Sequence, residues 1–267
     1  MKAHPLEFRL ARFAAFLFVL ALLTPNATRA GQTCDERPLT IATLEKSLAL
    51  AQRTSQQLDA TEANVVLLAR IGHDLSEYGL RYSHVGWVYK REGKWVVVHE
   101  LNQCGSAVSS LYEQGLGDFF LDDMYRYEAA YAIPTPEIQA QLLALFAQKD
   151  RVTRMHARAY NMLAYPWATR YQQSNQWALE TFAMALDPQI DSRESAQNWL
   201  RLKGYKPSTL EIGPLKRLGA EVSRANIAFD DQPIGARFAN HIETVTADSV
   251  FAWLQRSALS APLRTVD

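Results

Sequence analysis

Neither sign of charge dominates this chain, in which 28 basic and 28 acidic residues balance over 267 positions. Without a basic field we expect no nucleic-acid partner. The chain also lacks an HExxH motif, and His73-Asp74 has no further ligand at metal spacing. Gly115 and Gly117 lack the third glycine of a dinucleotide-binding loop. We therefore expect neither a metal ion nor an organic cofactor.

Long hydrophobic runs are absent except near the N-terminus, where residues 13–23 are apolar and follow three basic residues. This run is too short to cross a bilayer as a helix, which takes about 20 residues. Thr28 and Ala30 are small residues at the spacing of a cleavage site, so residues 1–30 are predicted to be a secretory signal peptide. A retained signal anchor is the alternative. We expect a periplasmic or secreted protein with no stable membrane anchor after cleavage.

Only two cysteines are present, Cys34 and Cys104. In an oxidising compartment two thiols in one chain most simply form a disulfide, so we predict a bond between them. Residues 31–267 contain no repeat, low-complexity tract or linker-like stretch, and their length fits one domain. We expect a single α+β domain, whose oligomeric state the pattern leaves open.

Two neighbouring segments have the composition of a β-hairpin. Residues 81–90 and 94–101 are rich in Tyr, Val and Trp, and they flank a turn that contains Gly93. Further strands are predicted at 64–70, where a helix through residue 73 fits nearly as well, and at 125–133, with 222–229 and 241–245 as candidates. Residues 102–123 are predicted to be irregular, with a helical turn near 109–114. Amphipathic or capped patterns predict helices at 38–60, 136–149, 152–161, 174–186, 192–203 and 248–255.

His84 is the first candidate for chemistry because it lies on the predicted hairpin. Strand alternation places it on one face with Tyr82 and Gly86, and the glycine leaves space beside the imidazole for a substrate or a nucleophile. The partner strand ends in His99-Glu100, and either side chain could orient the imidazole, because the register is not known. The alternatives are a strand histidine bonded to a backbone carbonyl and a strand end that faces solvent.

Ser174 is the second candidate because it opens a predicted helix. As a nucleophile it would gain from the partial positive charge of the helix start, which stabilises a developing oxyanion. As a helix N-cap its oxygen would instead accept hydrogen bonds from backbone N–H groups. Asn175 and Trp177 follow in the first turn and, with Tyr82, are the candidate substrate-binding residues.

Three stretches carry a resemblance to a known family: residues 78–86 (YGLRYSHVG), residues 98–105 (VHELNQCG), and residues 160–177, which end in YQQSNQW. Over nearly all of residues 31–267 the chain resembles an uncharacterised bacterial family of secreted proteins, a domain of unknown function. More distantly, a Ser-His-Val-Gly strand followed by a nucleophile at a helix start is similar to the permuted NlpC-like branch of the papain fold, which includes amidases, peptidases and acyltransferases.

This resemblance implies roles for the candidate residues. His84 would be the general base, His99 or Glu100 its orienting partner, and Ser174 the nucleophile. The implied fold is a permuted papain-like α+β arrangement, in which a small antiparallel sheet is packed by helices. The implied function is a hydrolase or acyltransferase that acts on a cell-envelope amide or ester.

One substitution separates the chain from such enzymes: serine stands where they carry cysteine. A thiol beside an imidazole forms a thiolate, whereas a serine hydroxyl stays neutral and must lose its proton during attack. The alternative function is therefore an inactive relative that serves as a periplasmic binding or scaffold protein.

Overall fold

Eight β-strands form two antiparallel sheets in the computed structural model, which describes residues 40–103, 105–121 and 124–267. The strands are β1 (Val65–Ile71), β2 (His84–Arg91), β3 (Lys94–Asn102), β4 (Ser109–Gly115), β5 (Arg126–Ala132), β6 (Ser208–Glu211), β7 (His241–Thr244) and β8 (Arg264–Val266). Six of them form the main sheet in the order β4-β3-β2-β1-β5-β8, and β6 pairs with β7 in a small second sheet. The predicted signal peptide and the predicted Cys34–Cys104 bond lie outside the described residues.

Nine α-helices accompany the strands in the described part of the chain. They are α1 (Ile41–Asp59), α2 (Leu116–Leu121), α3 (Pro136–Phe146), α4 (Lys149–Arg154), α5 (Ser174–Leu186), α6 (Arg193–Leu202), α7 (Pro214–Ser223), α8 (Ile234–Phe238) and α9 (Ala247–Arg256). None of the helices within the described ranges is both long and apolar enough to cross a membrane.

Helices cover both faces of the main sheet. On one face, alternate strand residues such as Val85 and Trp87 pack with α3, α5 and α9. On the other face, residues such as Val88 and Val97 pack with α1 and α2. Since both faces are covered, every residue of β1 is buried and its sequence is apolar almost without alternation.

α5 lies at the centre of the larger apolar layer. Its residues are buried from Ser174 through Ala185, and it contacts α3, α6, β2 and β3. Trp87 anchors it to β2, because the indole N–H donates to the carbonyl of Ala178 at 2.9 Å and the ring stacks on Phe182. This packing sets the position of the helix start relative to the first residues of β2.

The α+β class and the 81–90/94–101 hairpin are confirmed by β2 and β3. Three local predictions are wrong. The helix predicted at 152–161 is not formed, because α4 ends at Arg154 and residues 155–161 are irregular. Residues 109–114 belong to strand β4 and do not form a helical turn, because all seven residues of β4 pair with β3 at the edge of the sheet. Residues 222–229 are not a strand, since α7 extends through Ser223 and irregular turns follow it. The three errors concern segments whose structure depends on neighbours distant in the sequence.

Candidate functional site

A cavity of about 530 Å³ lies at the end of the main sheet where β2 begins and β3 ends. Part of its wall is polar, and the polar residues around the two candidates are Tyr82, Ser83, His84, Tyr160, Gln173, Ser174 and Asn175. Charged or titratable side chains also line it: Arg70, His73, Asp74, Lys216 and Arg224. Most of the remaining wall is apolar, and it includes Leu75, Leu80, Leu101, Met162, Leu163, Leu210, Ile212, Ala220, Ile227, Phe229 and Val245. The fold thus brings the two main candidates, His84 and Ser174, to one cavity.

His84 belongs to a chain of three hydrogen-bonded side chains. Its Nε2 lies 2.8 Å from Nδ1 of His99, and Nε2 of His99 lies 2.9 Å from Oε1 of Gln114. The amide oxygen can only accept, so His99 Nε2 carries a proton, and a neutral His99 then accepts a hydrogen bond at Nδ1 from the N–H of His84 Nε2. This order of donors places the lone pair of His84 on Nδ1.

The space beside Gly86 on the face of His84 is filled by protein, contrary to the expectation that the glycine leaves room for a substrate or a nucleophile. A Cβ on Gly86 would lie 2.7 Å from Cγ1 of Val97 and 3.3 Å from Cβ of His99, so the glycine admits these neighbours. The ring of Phe119 also lies 5.8 Å from the imidazole of His84. The glycine therefore makes room for the histidine chain and its packing, not for a nucleophile.

The environment of His84 keeps its imidazole neutral. Burial lowers its pKa well below the usual 6.5, and the positive charge of Arg70 adds to this effect, with smaller contributions from His99 and His73. Arg70 is the direct partner of His84 in the β1–β2 register, and its Nη1 donates to the carbonyl of Phe119 at 2.6 Å. A neutral imidazole can accept a proton but holds it weakly.

Ser174 is the first residue of α5, not its cap. The side chain of Gln173 caps the helix by accepting from the backbone N–H of Asn175 at 2.8 Å. Ser174 instead lies beside the hydroxyl of Tyr160. Burial raises the pKa of Tyr160 to about 12, while hydrogen bonds from the side chain and backbone of Ser174 act in the opposite direction.

The sheet separates the packing environments of the two candidates. The ring of His84 contacts Phe119 on the α2 side, whereas α5 packs on the other face through Trp87. Among the described residues, no hydrogen bond joins Ser174 to His84. Both side chains line the cavity at the end of the sheet, but they are not hydrogen-bonded to each other.

The three candidate substrate-binding residues lie in different surroundings. Asn175 lines the cavity, and its Oδ1 accepts from the backbone N–H of Val85 at 2.9 Å, which ties the start of α5 to β2. Tyr82 also lines the cavity, but it precedes β2 and packs in the α5 layer with Phe251, so it does not share a face with His84. Trp177 is fully buried in the same layer and does not line the cavity, so its role is packing.

Glu100 points to the face opposite His99 and has a separate partner. Oε1 accepts from the hydroxyl of Ser109 at 2.6 Å, and Nε2 of His156 lies 3.0 Å from that hydroxyl. Burial raises the pKa of Glu100 to about 8, although Ser109 and the charge of Arg193 act against it. Of the two sequence candidates, His99 is therefore the residue that contacts His84.

Polar residues of the cavity wall that were not predicted as site residues include Tyr160, Arg70 and His73. Tyr160 lies within the quoted motif, but nothing in its spacing indicates contact with Ser174. Arg70 and His73 lie near His84. The sequence does contain a signal for Arg70, because it is the one charged residue in the apolar strand β1. No group of three or more His, Cys, Asp or Glu side chains in the described ranges is arranged to hold a metal ion.

These features define an α+β protein with a buried histidine chain beside a largely apolar cavity. The chain belongs to a bacterial family described as uncharacterized protein conserved in bacteria (DUF2145), whose model matches residues 57–254. No curated protein and no solved structure matches it. The more distant similarity to NlpC-like hydrolases is not confirmed by these comparisons and stays a prediction.

Proposed function

We propose that the protein binds an amphipathic small molecule in the 530 Å³ cavity. The observation that carries this proposal is the composition of the cavity wall. Apolar side chains such as Leu163 and Phe229 suit a hydrocarbon portion, while the group around His84 and Asn175 supplies hydrogen-bonding atoms for a polar end. This proposal corresponds to the alternative of an inactive relative that serves as a binding protein, and the polar part of the wall would recognise the polar end of the ligand.

The state of Ser174 supports binding over catalysis. Its hydroxyl lies beside Tyr160, and among the described residues no hydrogen bond joins it to His84. A serine nucleophile needs a base within hydrogen-bond reach. Binding needs no rearrangement of this wall.

The proposal is tested with dansyl-undecanoic acid as a fluorescent amphipathic probe. We expect saturable binding to the wild-type protein. Ala220→Trp fills the cavity from α7 and should abolish binding, and Met162→Trp should repeat the result from another segment of the wall. Ser223→Trp is the matched control, because Ser223 is exposed on the same helix and does not line the cavity.

The outcome is decided by folded variants, which are recognised by a wild-type circular dichroism spectrum. Binding that survives both cavity-filling substitutions, or that Ser223→Trp removes equally, contradicts the proposal. So does the absence of saturable binding to the wild-type protein.

A second candidate, hydrolysis or acyl transfer on a cell-envelope amide or ester, is favoured by the His84–His99–Gln114 chain. The chain orients the imidazole and places its lone pair on Nδ1, as a general base requires. In this permuted papain-like mechanism Ser174 attacks the carbonyl, and His84 accepts its proton and later donates it to the leaving group. Catalysis requires the Ser174 hydroxyl to turn from Tyr160 towards His84.

A fluorophosphonate probe, which phosphonylates activated serines irreversibly with loss of fluoride, distinguishes the two candidates. Labelling of the wild-type protein that both Ser174→Ala and His84→Ala abolish supports the hydrolase. Absence of labelling in the wild-type protein supports the binding function alone. Ser257→Ala, at an exposed serine that follows α9, is the control for nonspecific labelling.

A further inference from the structure

Helix α7 has two faces with different surroundings. Lys216, Ala220 and Arg224 follow one another at four-residue spacing and line the 530 Å³ cavity. At 3.6 residues per turn, Leu215, Leu218 and Val222 project from the opposite side of the helix. These three apolar side chains are 87%, 59% and 60% exposed, and α7 contains no buried residue.

Helix α8 continues this apolar surface. Its Ile234 and Phe238, at helical spacing of four, are 64% and 85% exposed. Leu218 of α7 and Phe238 of α8 line one shallow groove of about 310 Å³, so the two helices present a shared surface. We call the five side chains the α7–α8 patch: Leu215, Leu218, Val222, Ile234 and Phe238.

Basic side chains accompany the patch. Arg217 of α7 lines the groove beside Leu218, and the groove also contains one acidic residue, Glu221. Arg237 of α8 lines the groove beside Phe238. Arg217 and Arg237 against Glu221 give this surface a local positive excess in a chain of zero net charge, whereas Lys216 and Arg224 lie on the cavity side of α7.

We propose that the α7–α8 patch docks on the surface of an anionic lipid bilayer. An amphipathic helix with exposed apolar side chains and neighbouring basic residues binds such a surface by burying the apolar face at the headgroup level and by attraction to anionic lipids. A second copy of the chain fits less well, because a two-fold contact through this patch brings the same basic residues together. The proposal goes beyond ligand binding and does not depend on what occupies the cavity.

The test is co-flotation of the purified full-length protein with lipid vesicles. We expect binding to vesicles of phosphatidylcholine mixed with phosphatidylglycerol, weaker binding to phosphatidylcholine alone, and weakening by salt. Leu218→Ser and Phe238→Ser should each lower the partition coefficient about tenfold, since each removes a large apolar side chain from the bilayer. Leu202→Ser is the matched control, because Leu202 is 86% exposed but ends a different helix, α6.

Every variant shares residues 1–39, so any contribution of that segment is common to all of them. Equal partitioning of wild type, Leu218→Ser and Phe238→Ser overturns the proposal, as does equal loss in Leu202→Ser. Self-association in solution that Leu218→Ser abolishes, without vesicle binding by the wild type, assigns the patch to a second copy and also overturns it. Retention of vesicle binding by Ala220→Trp supports independence from the cavity, whereas its loss contradicts that independence.

Discussion

His99 and Glu100 are neighbours in β3, yet strand alternation gives them opposite faces and different chemistry. His99 joins the chain with His84 and Gln114. Glu100 is fully buried under the α5 layer, where only one of its carboxyl oxygens has a hydrogen-bond partner among the described residues. An ionised carboxylate is therefore poorly supported at this position.

The buried state of Glu100 predicts an unusual dependence of stability on pH. Its pKa is about 8 in the folded protein against an ordinary 4.5, so between these values the folded state binds more protons than the unfolded state. The stability associated with the protonated carboxyl is complete below the ordinary pKa and is lost as pH rises through the folded pKa. Glu180, Arg193, His156 and Tyr160 are the titratable neighbours that share this region.

Glu100→Gln removes this titration and keeps an oxygen to accept from Ser109. As the pH rises from about 5 to 8, the wild type should lose stability that the variant keeps. The difference in the free energy of unfolding should therefore shift in favour of the variant by on the order of 3 kcal/mol over this range. Urea unfolding across this range is the measurement. Glu113→Gln is the control at a more exposed glutamate. Burial raises the pKa of Glu113, but the hydrogen bond and the charge of Arg91 outweigh burial, so this pKa is lowered overall. Parallel stability curves for wild type and Glu100→Gln would rule out the buried, protonated carboxyl.

At the scale of elements, the start of α5 is positioned by an ion pair between α5 and α6. Oε2 of Glu180 lies 2.7 Å from Nε of Arg193, and Gln172 and Gln197 also donate to this carboxylate at 2.7 Å each. Arg193 further donates to the carbonyls of Thr169 and Tyr171, just before the cavity wall at Ser174. The pair thus connects helix packing to the shape of the site.

Breaking this pair should cost much more than breaking an exposed one. Arg193→Ala leaves the charge of Glu180 buried without its cation, so we expect a loss of about 3–5 kcal/mol in the free energy of unfolding. Arg170→Ala removes the exposed pair with Asp230 and should cost at most about 1 kcal/mol. Urea unfolding at neutral pH compares the two variants. Equal losses would show that the buried pair has no special role.

At the scale of the whole molecule, the apolar cores are unevenly distributed. The main sheet separates two large buried clusters, whereas the small sheet and α7 adjoin a third cluster of only four buried side chains, Leu210, Ile212, Phe229 and Ile242. α5 and α7 are both helices with internal hydrogen bonds, but one is buried through twelve residues and the other has none buried. Their local stabilities should therefore differ.

Hydrogen exchange followed by mass spectrometry measures this difference. We expect the amides of α7 and α8 to exchange by local opening, at a free energy about 5 kcal/mol or more below that of the amides of α5 and β1. The comparison of α5 with α7 is matched, since both are regular helices of similar length. Similar protection in the two helices would show that the small sheet and α7 are as firmly held as the main sheet. Slower exchange of α7 in the presence of anionic vesicles would agree with docking of its outer face.

The amino-acid sequence by itself determined the local elements with strong patterns: the β2–β3 hairpin with its glycine turn, the helix that begins at Ser174, and the α+β class. These depend on alternation, helical spacing and turn residues, which act between near neighbours in the chain. The same patterns also identified His84 and Ser174, which border one cavity.

Only the tertiary structure decided which side chains meet. It paired β4 with the sheet edge, put Gln173 rather than Ser174 in the capping position, and placed His99, not Glu100, against His84. It also brought Tyr160 to Ser174 and turned the apolar side of α7 outward. The physical reason is that strand register and helix packing come from contacts between distant segments, and a shift of one residue in register exchanges the two faces of a strand.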